Sequence, residues 1–226
     1  MDKYVFIVIP AFNEEKNIGN VLTDLLSAGY SNIIVIDDCS EDNTNQVVSN
    51  FPVYLLKHAV NRGQGAALKT GIDYALQNDA EIIVTFDSDG QHCIEDLSVM
   101  LEPVHNKEVD MTIGSRFLKK TNVPFFRKIL LKGSIFVLFL FYRIKMSDAH
   151  NGLRALSRTA AEKINITCDR MAHASEIIEE MHRKNIKFKE VPVTIKYNEE
   201  TLKKGHGSYL EAIKILAAMA LKKIGR

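Results

Sequence analysis

Two carboxylates one residue apart, Asp87 and Asp89, follow the apolar, β-branched run Ile82-Ile83-Val84-Thr85-Phe86 and precede Gly90-Gln91-His92. Such a run suits a central strand of a parallel sheet, and ligands bind at the carboxyl ends of such strands. Neighbouring carboxylates repel unless a cation or proton separates them, and hard oxygen donors suit Mg²⁺ or Mn²⁺. A metal held there would attract a phosphate. The same Asp-Ser-Asp-Gly run also reads as turn chemistry, its carboxylates bonding nearby N–H groups while glycine supplies a positive φ.

Three more polar clusters follow the three preceding apolar runs: Pro10-Ala11-Phe12-Asn13-Glu14, Asp37-Asp38-Cys39-Ser40-Glu41-Asp42-Asn43-Thr44, and residues 58–65. Asp38 is a candidate to accept from a base edge or a ribose hydroxyl. Ser40 or Asp42 is equally suited to cap the next helix. Asn61-Arg62-Gly63-Gln64-Gly65 permits close backbone approach, either to a ligand or as a turn and packing device. In an open α/β sheet these clusters share one edge, and their coincidence favours the metal reading of Asp87-Ser88-Asp89.

The elements that must position these residues follow from hydrophobic periodicity. Strands are predicted over 5–9, 33–36, 53–56, 82–86, 111–113 and 188–197. Between them, helical spacing covers a segment capped by Asn13 and ended by Gly29, then 41–49, 66–76 and 96–105. Strand and helix alternate as in βαβ units, which predicts an α/β fold with a mostly parallel central sheet. Beyond Pro124 the pattern turns helical, over 126–143, 158–164, 175–184 and 209–223. No repeat or Pro/Gly/Ser linker divides the chain, so one domain over 1–226 is expected, with an appended helical and C-terminal layer.

With 226 residues, 46% of them hydrophobic, the chain can fill one substantial core. A formal charge of +1, from Lys+Arg 29 against Asp+Glu 28, gives no reason to expect a nucleic-acid partner. Basic residues nevertheless gather between Arg116 and Arg158 and again at Lys214, Lys222, Lys223 and Arg226. Cys39, Cys93 and Cys168 fit no metal spacing and read as free thiols in a reducing compartment. The 7 histidines show no paired ligand spacing; only His92 adjoins the acidic pair, and the others are expected at the surface or in structural roles. The first residues have no secretory pattern, and the longest apolar stretch, 134–142, is about half the ~20 residues that cross a bilayer. A cytoplasmic protein is expected.

The motifs Val8-Ile9-Pro10-Ala11-Phe12-Asn13-Glu14, Asp37-Asp38-Cys39-Ser40, Asn61-Arg62-Gly63-Gln64-Gly65, Asp87-Ser88-Asp89-Gly90-Gln91-His92, Gly114-Ser115-Arg116 and Gly152-Leu153-Arg154 stand in this order. In that order they resemble family 2 glycosyltransferases of GT-A fold, and most closely the branch of dolichyl and polyprenyl-phosphate hexosyltransferases. The resemblance implies a nucleotide-sugar-binding half over 1–116 and an acceptor-side half over 117–226. It implies that Pro10, Ala11, Phe12, Glu14, Ile36, Asp38, Asn61, Gly65 and Ser88 hold a UDP- or GDP-hexose. Asp87, Asp89 and Gln91 match the Mg²⁺ or Mn²⁺ and diphosphate site, with Asp89 the direct ligand. Arg116 and Arg127 match cations facing the diphosphate or an acceptor phosphate, and Asp148 and Arg154 match the segment near the acceptor. The branch's late-loop Arg and Gly-x-Ser-Lys are absent; Lys203 or Lys204 in Leu202-Lys203-Lys204-Gly205 stands in that region, as a point charge rather than a fork.

The chemistry implied is an inverting displacement in which cations neutralise the departing nucleoside diphosphate. A polyprenyl phosphate acceptor is already ionised and needs no base, whereas a saccharide hydroxyl does, and Asp148 is the candidate. A nucleotide-sugar-binding module without catalysis is the reading from another class; intact Asp87, Asp89, Gln91 and Arg154 argue against it. The apolar helix over 126–143, bounded by cations, suits a membrane surface, a small membrane-protein partner, a homo-oligomer face or a buried core. With a lipid acceptor, the expected location is peripheral, at the cytoplasmic membrane face.

Overall fold

The structure, a computed structural model, describes residues 4–119, 133, 135, 143–170 and 172–196. Among these, seven strands form one sheet: β1 (Val5–Ala11), β2 (Ile33–Asp37), β3 (Tyr54–Lys57), β4 (Ile82–Thr85), β5 (Met111–Ser115), β6 (Arg154–Ser157) and β7 (Phe188–Pro192). Their order is β3-β2-β1-β4-β6-β5-β7. Every pairing is parallel except those of β6, which runs antiparallel to both β4 and β5. The mostly parallel sheet expected from the sequence is therefore present, with one strand, β6, that periodicity did not indicate. Four residues opening on a charged Arg give no apolar run, yet Arg154, Ala155 and Leu156 are all buried.

Alternation along the strands divides the core into two layers, because successive side chains point to opposite faces. Ile7, Ile9, Ile33, Val35 and Val84 face helices α1 (Ile18–Ser27) and α4 (Asp96–His105). Phe6, Val8, Ile34, Ile36 and Ile83 face α3 (Gln64–Gln77), α5 (Arg158–Lys163) and α6 (His173–Arg183). α3 lies flat on the sheet because Gly71 has no side chain: a Cβ there would stand 2.3 Å from Val8 Cγ1 and 2.5 Å from Ile36 Cδ1. The Ile36 side chain is thereby fixed in the core beneath α3, and Ile36 does not line the cleft at the carboxyl edge of the sheet.

The first loop also differs from expectation. Asn13 caps no helix; α1 begins at Ile18 after Asn17, and Asn13 takes a left-handed φ of 55°. Its Oδ1 accepts from Glu41 N at 2.8 Å and its N–H donates to Ser40 Oγ at 3.0 Å, tying the loops after β1 and β2 together. Gly29 does end α1: with φ at 87° it lets its own N–H reach Leu26 O and that of Tyr30 reach Leu25 O, the paired bonds of a Schellman turn. α2 (Thr44–Val48) starts later than predicted, and Asp42 accepts from Thr44 N at 2.9 Å from just outside it.

A Cβ on Gly65 would lie 2.0 Å from the Cys168 carbonyl oxygen, so of the two alternatives for this glycine the close approach seen is to the chain's own backbone. Gly65→Ala must push α3 off residues 168–169, and a loss of about 1–3 kcal/mol is expected in urea unfolding.

The predicted loop 198–208 and helix 209–223 lie outside the described residues, as does nearly all of the predicted helix 126–143. With them go Arg127, Lys203 and Lys204. Among the described residues no helix is long and apolar enough to cross a membrane.

Candidate active site

The sheet brings the polar clusters to one cleft of about 530 Å³ at the carboxyl ends of β1, β2 and β4. Pro10, Ala11, Phe12, Glu14, Asp38, Asn61, Asp87, Ser88, Asp89, Gln91, Arg116 and Arg154 all line it. Those twelve come from the sequence reading; Ile36, Gly65 and Asp148 do not line the cleft. Phe12 leaves a large part of its ring exposed there.

Strand register explains the centre. Thr85 of β4 lies opposite Arg154 of the antiparallel β6, and Arg154 lies opposite Ile113 of β5. The chain leaving β4 at Asp87 therefore passes the segment entering β6. Thr85 Oγ1 donates to Gly152 O at 2.6 Å, and a Cβ on Gly152 would stand 2.3 Å from Asp87 Oδ2. Glycine at 152 is what lets the Asp87 carboxylate sit flush against the β6 entry.

The electrostatics of that centre are tightly matched. Asp87 accepts from Gln64 Nε2 at 3.1 Å and from His92 Nε2 at 2.9 Å. Burial alone would raise its pKa, but the His92 hydrogen bond and the charges of His92 and Arg154 outweigh it and hold the carboxyl below its usual range. Asp89 goes the other way: burial first, then the Asp87 charge, push its pKa up, although Gln91 donates to it through backbone and side chain. Two carboxylates forced together while one resists ionisation make a pair that a divalent cation would relieve.

Arg154 is 1% exposed, and its Nε and Nη2 have no partner among the described residues. Burial lowers its pKa to about 10, against the opposing pull of Asp87 and Asp148. It remains a cation, with donors to spare, at the wall of the cleft.

Asp148 is fully buried, its Oδ2 accepting from Arg116 Nε at 2.6 Å and Arg116 N at 3.2 Å. Its place is thus behind Arg116, which reaches the cleft, and not against a reacting hydroxyl. Glu190 on β7 in turn holds this loop, accepting from Ser147 N, Ser147 Oγ and Asp148 N at 2.8–2.9 Å. Nothing in the sequence pattern marked Glu190. Glu190→Ala leaves two backbone N–H groups without that acceptor, and urea unfolding should register a loss of about 1–3 kcal/mol.

Asp38 meets the cleft with much of its accepting capacity engaged. It accepts from His58 Nδ1 at 2.6 Å, Arg62 N at 3.0 Å and Gly63 N at 2.6 Å. His58 Nε2 in turn meets Thr70 Oγ1 at 2.9 Å. Asp38 therefore organises the loop after β3 as well as lining the cleft.

His92 lines the cleft beside the acidic pair, as its position suggests, and His150 and His173, expected at the surface or in structural roles, line it too, together with Gln64, Arg170, Ala174 and Ile195. Burial lowers the pKa of His150, and burial with the Arg154 charge lowers that of His173 to about 4. Single histidines on helices and loops have no spacing that announces such a convergence.

A mostly parallel sheet with an acidic pair and three arginines lining one cleft at its carboxyl edge is the arrangement of a GT-A glycosyltransferase. The chain belongs to glycosyl transferase family 2, whose family model matches residues 6–165. It is 40% identical over 225 residues, 97% of this chain and 92% of the relative, to an uncharacterized protein of Methanocaldococcus jannaschii. It is 31% identical over 247 residues, 100% of this chain and 98% of the relative, to the UDP-N-acetylglucosamine--dolichyl-phosphate N-acetylglucosaminyltransferase of Methanococcus voltae. Among solved structures, glucosyl-3-phosphoglycerate synthase from Mycobacterium tuberculosis, in complex with Mn²⁺, UDP and phosphoglyceric acid, shares the fold with a TM-score of 0.71. That match is 16% identical and covers 95% of this chain and 77% of the other.

Proposed function

We propose that this glycosyltransferase moves a hexose from UDP- or GDP-hexose to a polyprenyl phosphate, with inversion, as a peripheral protein at the cytoplasmic membrane face. The observation that carries the acceptor class is the state of Asp148. The carboxylate that would serve as base for a hydroxyl acceptor is fully buried and bonded to Arg116. The cleft instead turns Arg116, Arg154 and Arg170 toward its contents, and a phosphate needs cations to hold it and no base to activate it. The relative from Methanococcus voltae, matched along its length, carries a dolichyl-phosphate acceptor in its name.

In this reading Asp38 and Asn61 hold the nucleoside, and Phe12 covers it. Asp87, Asp89 and Gln91 would hold Mg²⁺ or Mn²⁺. Among the described residues no three His, Cys, Asp or Glu side chains form a metal cage; such ions are commonly held by one or two carboxylates plus substrate phosphates. The metal supplies positive charge beside the departing diphosphate. Arg116, fixed by Asp148, adds a directed cation, and Arg154 presents its spare N–H groups to phosphate oxygen, where a guanidinium fork matches two acceptors.

The test is transfer, and donor hydrolysis, with a panel of UDP- and GDP-sugars, with and without polyprenyl phosphate and Mn²⁺. A lipid-linked product that requires the ion is expected. No lipid-linked product with any donor would remove the acceptor assignment.

A further inference from the structure

His173 enters the cleft on a segment that is locked into place. Glu176 accepts from Thr167 N at 3.0 Å and Cys168 N at 2.9 Å, folding residues 167–170 onto the start of α6. Asp169 O accepts from Ala66 N at 3.0 Å. Side chains at 63 and 65 would collide with this segment: a Cβ on Gly63 would meet Asp169 O at 2.7 Å, and one on Gly65 would meet His173 Cβ at 2.9 Å. His173, 3% exposed, is thereby held against the first turn of α3 at the wall of the cleft.

Its proton is placed by its neighbour. Nδ1 lies 2.9 Å from Arg170 O, and a carbonyl only accepts, so Nδ1 carries the hydrogen. In the neutral ring Nε2 is then a bare lone pair. No described residue donates to it.

We propose that His173 reads the donor sugar: its Nε2 accepts a hydrogen bond from a hydroxyl of the hexose. This rests on the nucleotide-sugar reading of the cleft. An ionised diphosphate offers only acceptor oxygens and is repelled by a lone pair, so Nε2 of His173 suits the hydroxyl-bearing end of the ligand and not its diphosphate. The nucleoside has its own partner in Asp38. His173 instead interacts electrostatically with Arg154 and with Asp87, and Asp87 is the residue that the proposed function sets at the donor diphosphate, to which the hexose is joined. A site that hydrogen-bonds a substrate hydroxyl discriminates strongly against an analogue that cannot make the bond.

The experiment compares equilibrium binding of UDP and GDP with that of UDP-glucose, UDP-N-acetylglucosamine and GDP-mannose, in the presence of Mn²⁺, for the wild type, His173→Met and His173→Gln. Gln can present an amide oxygen close to the Nε2 position; Met cannot accept comparably. The expected result is that His173→Met binds the preferred nucleotide sugar about 10-fold more weakly while binding the free nucleoside diphosphate as before. His173→Gln should recover most of the difference. Equal affinities in His173→Met and wild type would overturn the proposal, as would parallel losses for the nucleotide sugar and the free diphosphate. A wild type that binds no nucleotide sugar would remove the donor reading itself, and the proposal with it.

Discussion

Asp89→Asn should lower transfer by roughly 100–1,000-fold, the scale on which single electrostatic contacts to a developing negative charge act, and should leave the protein folded. The substitution keeps the shape and the acceptor oxygen but removes the charge that would hold a cation against the diphosphate. Stability should move the other way. Burial and the Asp87 charge raise the Asp89 pKa, so the folded state favours the proton more than the unfolded state does. A raised carboxyl pKa costs stability as pH rises from its ordinary value through the folded one, and above that window the carboxylate is a standing penalty. Asn removes the penalty, so the metal-free variant should unfold at the same temperature as the wild type or slightly above it at neutral pH. Thermal unfolding with and without Mn²⁺, read beside single-turnover transfer, checks both halves. Full activity in Asp89→Asn would sink the metal assignment; a large loss of stability would mean that the pair is structural.

Much of the cleft was legible because its residues follow strands that announce themselves. Asp38 and Asp87 come directly after β-branched apolar runs, and a parallel sheet sends the carboxyl ends of those strands to one edge. What was not legible depends on contacts between distant segments. Asp148 read as a base because its type and place allowed it; only the fold puts Arg116 on it and Glu190 behind its loop, 43 residues from Ser147. Gly65 stays open between ligand backbone and packing device because nothing in Gly63-Gln64-Gly65 indicates that residues 168–169 pack there. β6 escaped because a strand's period is an apolar pattern, and this strand spends its first buried position on an arginine. That exception is itself informative: a fully buried cation with donors to spare is tolerated where function uses it.

Arg154 carries the second large expectation. Arg154→Met fills a similar volume with an apolar chain and withdraws the positive charge lying between Asp87 and Asp148. Removing one partner of a buried charge cluster commonly costs about 3–5 kcal/mol. Here His92 still bonds Asp87 and Arg116 still bonds Asp148, so the lower figure, about 3 kcal/mol, is expected from urea unfolding. Arg154→Lys keeps the charge and should recover part of that stability. Transfer should not recover with it, because an ammonium on a flexible stem cannot reproduce a fixed guanidinium fork. Nε and Nη2 are buried donors without partners among the described residues, a cost that an anion would remove. A phosphate that meets them therefore binds the folded state and not the unfolded one, and at 100 times its dissociation constant it should stabilise the wild type by about 2.7 kcal/mol. Thermal unfolding with a short-chain polyprenyl phosphate should show that rise in the wild type and little of it in Arg154→Lys or Arg154→Met. An equal rise in all three proteins would place the acceptor phosphate elsewhere, and would leave Arg154 a structural counter-charge to Asp87 alone.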